Sequence, residues 1–156
     1  MSRHLLIALV AVCAAAVIAA SAFYSRPSQA GEPVITVHRT PWCGCCGDWV
    51  DHLREQGFAV TVHEHEDLSP VRTRLEVPVA LGSCHTAEVD GYAIEGHVPA
   101  SDIRRLLQER PEGVRGLSVP GMPVGSPGME VGDRKDPFDV VAFGEDGTAV
   151  FNEYRP

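Results

Sequence analysis

Three cysteines fall within four residues, Cys43, Cys45 and Cys46, between a β-branched run, Val34-Ile35-Thr36-Val37-His38, and a helical pattern that begins near Gly47. The run is bounded by Pro33 and Pro41 and reads as a buried first strand. After Gly47, Trp49, Val50, Leu53 and Phe58 recur at helical spacing, with Asp48, Asp51, Arg54 and Glu55 between them and Gly57 as the stop. The chain is therefore a strand, a tight turn and a helix, with its thiols gathered at the helix N-terminus. Backbone N–H groups and the dipole there favour thiolates, so the site suits soft-metal chemistry, redox chemistry or both.

The remaining pattern fixes an element order. Phe58, Val60 and Val62 alternate with Ala59, Thr61 and His63 as a second strand, and Leu68 to Leu75 is a short helix with Pro70 near its start. Thr86 to Val89 and Tyr92 to Glu95 flank Asp90-Gly91, a hairpin with a two-residue turn. Pro99 to Arg110 is a helix with Ser101 as its cap. This β-α-β-α-β-β-α order is that of a thioredoxin-like α/β domain, a central mixed sheet flanked by helices. Residues 111–156 form a C-terminal extension: a Gly/Pro/Met loop through Gly132, then a hairpin, Phe138 to Phe143 and Thr148 to Tyr154, turning at Asp146-Gly147.

Residues 1–30 have another character. Arg3 and His4 precede an apolar run of 16 residues, Leu5 to Ala20, and small residues end at Ala30, the layout of a secretory signal peptide. Cleavage after Ala30 would remove Cys13; a retained segment would instead be an inner-membrane anchor. Residues 31–156 are then one exported, periplasmic domain. It carries 11 basic against 21 acidic side chains, a net −10, which argues against nucleic acid as a partner.

Cys43 and Cys46 have the C-x-x-C spacing of dithiol oxidoreductases, with Cys43 as nucleophile and Cys46 as resolver on that reading. Cys45 between them is a surplus for thiol exchange but a gain for metal binding. Adjacent helical residues point about 100° apart, so three thiolates fanned around a helix start suit more than one ion. Cys84 lies six residues before Asp90-Gly91. That is near the position where a thioredoxin-like domain carries the cis-proline facing its motif, whereas Pro78 is too far upstream unless Val79 to Gly82 belong to the strand. On the first alignment Cys84 faces Cys43, Cys45 and Cys46. Four soft donors select copper(I), with zinc second, and their charge is better matched by several monovalent ions than by one divalent ion.

His85 follows Cys84 and is read as a ligand or a surface residue, since neighbours in a strand face opposite ways. His38, at the end of the first strand, is a further candidate donor. His63 and His65 share a strand face and could chelate, although Glu64, Glu66 and Asp67 suggest a solvated strand end. His97 reads as a capping or packing residue. Met122 and Met129 sit in a glycine and proline loop with little core to fill, which makes them thioether ligands or a lid. Trp42 and Trp49 are read as packing, Trp42 as a shield over the sulfurs.

Taken with Cys43-Gly44-Cys45-Cys46, the segments Ser83-Cys84-His85-Thr86-Ala87, Gly91-Tyr92-Ala93-Ile94-Glu95-Gly96-His97-Val98-Pro99-Ala100 and Gly116-Leu117-Ser118-Val119-Pro120-Gly121-Met122-Pro123 resemble the CopG-like family, also known as domain-of-unknown-function family 411. The resemblance covers nearly all of residues 31–156. It implies a thioredoxin-like fold, copper binding by the C-x-C-C cysteines with a further cysteine, and a part in copper detoxification, with redox interconversion of copper ions as one route. It also implies copper ions, and other periplasmic copper-handling proteins, as partners. The rival is a periplasmic thiol-disulfide oxidoreductase. A third reading, a domain stapled by two disulfides, is opposed by the strain of a bridge between neighbours Cys45 and Cys46.

Overall fold

A computed structural model describes residues 33–156, which form one seven-stranded mixed sheet with three helices, an α/β fold. The signal peptide expected over residues 1–30 lies outside the described residues. Strand β1 is Ile35–Arg39, followed by helix α1 (Gly44–Glu55), β2 (Val60–Glu64), α2 (Ser69–Arg74), a 3₁₀ turn (Val79–Leu81), β3 (His85–Val89) and β4 (Tyr92–Glu95). Helix α3 is Ala100–Glu109, then come β5 (Val114–Ser118), β6 (Phe138–Gly144) and β7 (Gly147–Tyr154). The strand order is β2-β1-β3-β4-β5-β6-β7, with β1/β2 and β4/β5 parallel and the other pairs antiparallel.

One face of the sheet holds the main core. Ile35 and Val37 of β1, Ala87 and Val89 of β3 and Ile94 of β4 pack against Trp49, Val50 and Leu53 of α1 and Ile103 and Leu106 of α3. These helix positions recur at spacings of three and four, so one stripe of each helix is buried. On the other face, Val77, Ala93 and Phe143 make a smaller cluster with Leu75 and Leu81, from the chain between α2 and the 3₁₀ turn.

The Asp90-Gly91 hairpin forms as the sequence predicts: both residues have positive φ, 48° and 87°, as the tight turn requires. Other expectations shift. Helix α1 starts three residues earlier than its apolar pattern suggests, so Cys45 and Cys46 lie inside its first turn and Cys43 is its N-cap. Pro99, not Ser101, is the N-cap of α3, and the Ala100 N–H at that end points to His52 Nε2 at 3.4 Å. The last hairpin turns at Glu145-Asp146, one residue before the expected pair. Val79 to Leu81 are a 3₁₀ turn and not strand, which leaves Cys84 just ahead of β3.

Strand β5 is the element that the sequence pattern hides. Gly116 at its centre looks like a breaker, yet a Cβ there would run into the Ala93 carbonyl and the Phe143 ring. Glycine is thus what lets β5 lie between β4 and β6. Through β5 the C-terminal hairpin joins the same sheet instead of forming a separate layer. Tyr154 Oη and Asn152 Nδ2 then donate at 2.6 and 2.9 Å to Asp102, a carboxylate buried at the start of α3.

Candidate metal centre

The cysteine turn is held from β1. Arg39, the last residue of that strand, donates from Nη1 to the Cys43 carbonyl at 3.2 Å and from Nη2 to Glu64 at 2.8 Å. The Cys43 N–H closes the turn on Thr40 O at 3.2 Å. Cys43 and Cys46 are joined as a disulfide with Cα atoms 5.4 Å apart, while Cys45 and Cys84 are free. Cys46 is fully buried and the other three are half-buried.

Cys84 comes from a separate element, the residue just ahead of β3. Its carbonyl lies 3.7 Å from Cys46 Sγ, and Cys45 Sγ lies 3.7 Å from Cys43 Sγ. The four sulfurs all fall within 4.8 Å of one another. Cys84, His85 and His97 form a second such group among the described residues. Cys84 Sγ is 3.0 Å from His97 Nε2 and 3.2 Å from His85 Nδ1.

His85 is wholly buried, which settles its reading against a surface residue. Its ring lies 4.3 Å from that of Trp49, and its Nε2 has no hydrogen-bond partner. The sequence argument failed because Cys84 precedes the strand, so strict alternation does not separate it from His85. His97 is also fully buried, and it is the site residue that the sequence reading set aside. Its signal was present in the hairpin. Thr86 pairs with Glu95 and the Gly96 N–H reaches His85 O, so two further residues along each arm put Cys84 opposite His97.

The His97 tautomer follows from its contacts. Nδ1 lies 2.8 Å from the Pro127 carbonyl, which can only accept, so Nδ1 bears the proton and Nε2 turns a lone pair toward Cys84. Burial lowers the pKa of both imidazoles, which keeps them neutral and able to act as donors to a metal. Burial and the neighbouring Cys45 push the Cys84 thiol up to about 12. Gathered thiolates in such a nest repel one another unless a cation neutralises them. The donor set therefore fits a soft metal ion.

Glu95 holds the Cys84 segment from the other face of the sheet. It is wholly buried and accepts from the Ser83 N–H at 2.6 Å, Thr86 Oγ1 at 2.6 Å and Arg72 Nε at 3.0 Å. Arg72 also donates to the Ser83 carbonyl at 2.5 Å. Sequence reasoning passed over this residue because a glutamate ending a strand reads as solvated.

The Gly/Pro/Met loop returns to the cysteine helix. A Cβ on Gly128 would lie 2.6 Å from Trp49 N and 3.0 Å from Cys45 O, and its φ is +79°. Gly128→Ala is thus expected to lift the loop off α1 and to destabilise the fold by about 1–3 kcal/mol, read as a lower urea midpoint at unchanged slope. The half-buried Met129 is next in the chain, which puts it beside the motif, whereas Met122 is 54 % exposed. Ser83 Oγ donates to Gly121 O at 2.5 Å, tying the other end of the loop to the residue before Cys84.

Two expected site residues lie elsewhere. His38 is on the sheet face away from the sulfurs, with Thr86 and Glu88, and contacts His65. Trp42, although next to Cys43, is 71 % exposed instead of packed, while Trp49 is fully buried and donates from Nε1 to Val98 O at 2.9 Å.

Residues 81–129, which hold Cys84, His85, His97 and most of the loop, match the family described as "Protein of unknown function, DUF411". No curated protein matches the sequence. Two solved structures, Form 1 and Form 2 of a copper resistance protein CopG, are each 50 % identical to this chain with a TM-score of 0.76. They are matched over their whole length, and over 81 % and 80 % of this chain respectively. With identity at that level across the whole of each related structure, the chain belongs to the family of the copper resistance protein CopG.

Proposed function

We propose that the protein binds copper(I) in a multi-thiolate cluster formed by Cys43, Cys45, Cys46 and Cys84, and serves copper resistance or homeostasis. The observation that carries this reading is the convergence of four sulfurs within 4.8 Å of one another from two separate elements. Thiolates prefer copper(I) to harder ions. A zinc site closes tetrahedrally around one ion, which adjacent Cys45 and Cys46 on one helix serve poorly. Several copper(I) ions bridged by sulfur suit the fan better, with His85 Nδ1, His97 Nε2 and Met129 as further donors at its rim. Met122 would join only if the loop turned inward.

The Cys43–Cys46 disulfide gives this reading a redox side. Its dithiol form, on oxidation, releases two electrons and two protons, enough to reduce two copper(II) ions to copper(I). The same bridge favours a second reading, thiol-disulfide exchange, because half-buried Cys43 at a helix N-terminus and buried Cys46 behind it are placed as attacking and resolving thiols. The order β1-α1-β2-α2-β3-β4-α3, with the motif at the N-terminus of α1, supports a thioredoxin-like architecture for this part of the chain. We take residues 1–30 as a signal peptide and the periplasm as the working compartment, where other copper-handling proteins would be its partners. The N-terminal sequence of protein recovered from the periplasm checks the cleavage.

Anaerobic titration with copper(I) against a competing chelator tests the main reading. The reduced chain is expected to take up more than one copper(I) per molecule; binding no tighter than that of the chain with all four cysteines replaced by serine would sink it. Disulfide turnover lost in Cys43→Ser and kept in Cys45→Ser would favour the second reading.

A further inference from the structure

The sheet face away from the sulfurs carries a separate group of histidines. His38 is the last residue but one of β1, its register partner on β2 is His63, and His65 follows β2 by one residue. In a parallel pair, registered residues project to the same face, and His65 shares the parity of His63. His38 is 7 % exposed, His65 is half-buried and His63 is exposed, so the group opens to solvent on one side.

His38 Nδ1 and His65 Nε2 are 2.9 Å apart. Two imidazole nitrogens bound side by side to one ion at about 2.0–2.1 Å are separated by about 2.9–3.4 Å, from square-planar to tetrahedral geometry. The pair already stands at that spacing. His38 Nε2 is 3.2 Å from Glu88 Oε1, and since the carboxylate accepts, Nε2 carries the proton and Nδ1 has the lone pair. Glu88 is itself fixed by two bonds from Arg74, each 3.0 Å. A carboxylate holding the outer nitrogen of a histidine is the arrangement that orients metal-bound imidazoles and raises their basicity. The His63 ring stacks on that of His38 with centroids 5.6 Å apart, and His63 would have to rotate to bring a nitrogen to the same ion.

We infer that His38 Nδ1 and His65 Nε2, with His63 as third ligand and Glu88 as the positioning carboxylate, form a second metal site that takes a divalent transition ion, copper(II) foremost. Imidazole suits such ions, and copper(II) heads their affinity order. Without metal, the same two nitrogens share a proton. The site does not depend on the copper(I) reading, because no sulfur takes part.

Nickel(II) is a suitable probe, since thiols do not reduce it. Saturating nickel(II) chloride added to the intact chain is expected to broaden the ring signals of His38 and His65 and the amide signals of residues 37–39 and 62–65 in nuclear magnetic resonance spectra. The broadening should be absent in His65→Ala, reduced in His63→Ala, and kept in the chain with all four cysteines replaced by serine. Glu88→Gln should weaken nickel(II) affinity by roughly 10–100-fold. Copper(I) uptake by His65→Ala should match that of the unaltered chain, so failure here and failure of the copper(I) reading are separate results. Broadening confined to the surroundings of Cys43, Cys84, His85 and His97, or unchanged in His65→Ala, would overturn the proposal.

Discussion

Cys84→Ser is expected to weaken copper(I) binding by more than the roughly 10–100-fold that follows loss of an outer partner of a metal ligand. Cys84 is the one sulfur of the four that does not come from the turn and first residues of α1, and its Sγ meets two buried imidazole nitrogens at 3.0 and 3.2 Å. Serine keeps the shape but offers a hard neutral oxygen, which copper(I) disfavours. The fold should tolerate the change, because the side chain is half-buried and the segment is held through Ser83 and Thr86. Chelator competition gives the affinity, and metal analysis should show fewer copper ions per chain. An affinity within tenfold of the unaltered chain would remove Cys84 from the cluster.

Glu95→Ala is expected to cost about 2–4 kcal/mol of unfolding free energy, since each buried donor left without its acceptor costs about 1–3 kcal/mol. The loss leaves the Ser83 N–H, the Thr86 hydroxyl and part of the Arg72 guanidinium without their acceptor. Glu95→Gln should be much milder, since an amide oxygen can still accept from Ser83 or Thr86. Burial raises the Glu95 pKa, outweighing the opposite pull of Thr86, Ser83 and Arg72. A carboxyl group whose folded pKa is raised binds more protons in the native state than in the unfolded state between the two pKa values. That part of the stability is therefore present below the unfolded pKa and lost as pH rises through the folded one, and Glu95→Gln should lack the slope. Urea unfolding across that range measures both effects; a Glu95→Ala chain as stable as the unaltered one would show that the buried bonds contribute nothing net.

How far the site was legible depended on how local its geometry is. Counting back from the Asp90-Gly91 turn puts Cys84 near the cis-proline position of a thioredoxin-like domain, and it is that template, not the hairpin register itself, that sets it facing the cysteine motif. The same count reaches His97, yet a histidine between Gly96 and Val98 gave no pattern that asked for it. Glu95 and Gly128 depend on what lies across the sheet and across the loop, which no local spacing encodes. The start of α1 was misplaced because Gly44 and Gly47 look like breakers, whereas the turn held by Arg39 begins the helix at Gly44. For β5, Gly116 hid a strand that exists because the residue is small.

The hairpin register also bears on how the centre assembles. Cys84 and His97 are 13 residues apart, whereas Cys46 and Cys84 are separated by 38. The longer closure costs only about 1 kcal/mol more in chain entropy. Each half of the centre is thus encoded in a short stretch, one around α1 and one in a hairpin of a kind that closes within about 1–10 μs. The pairing of β1 with β3 brings them together. Without metal the two halves are held together by that seam and by the packing of α1 on the sheet, and an ion bound to sulfurs of both halves would add its own link between them.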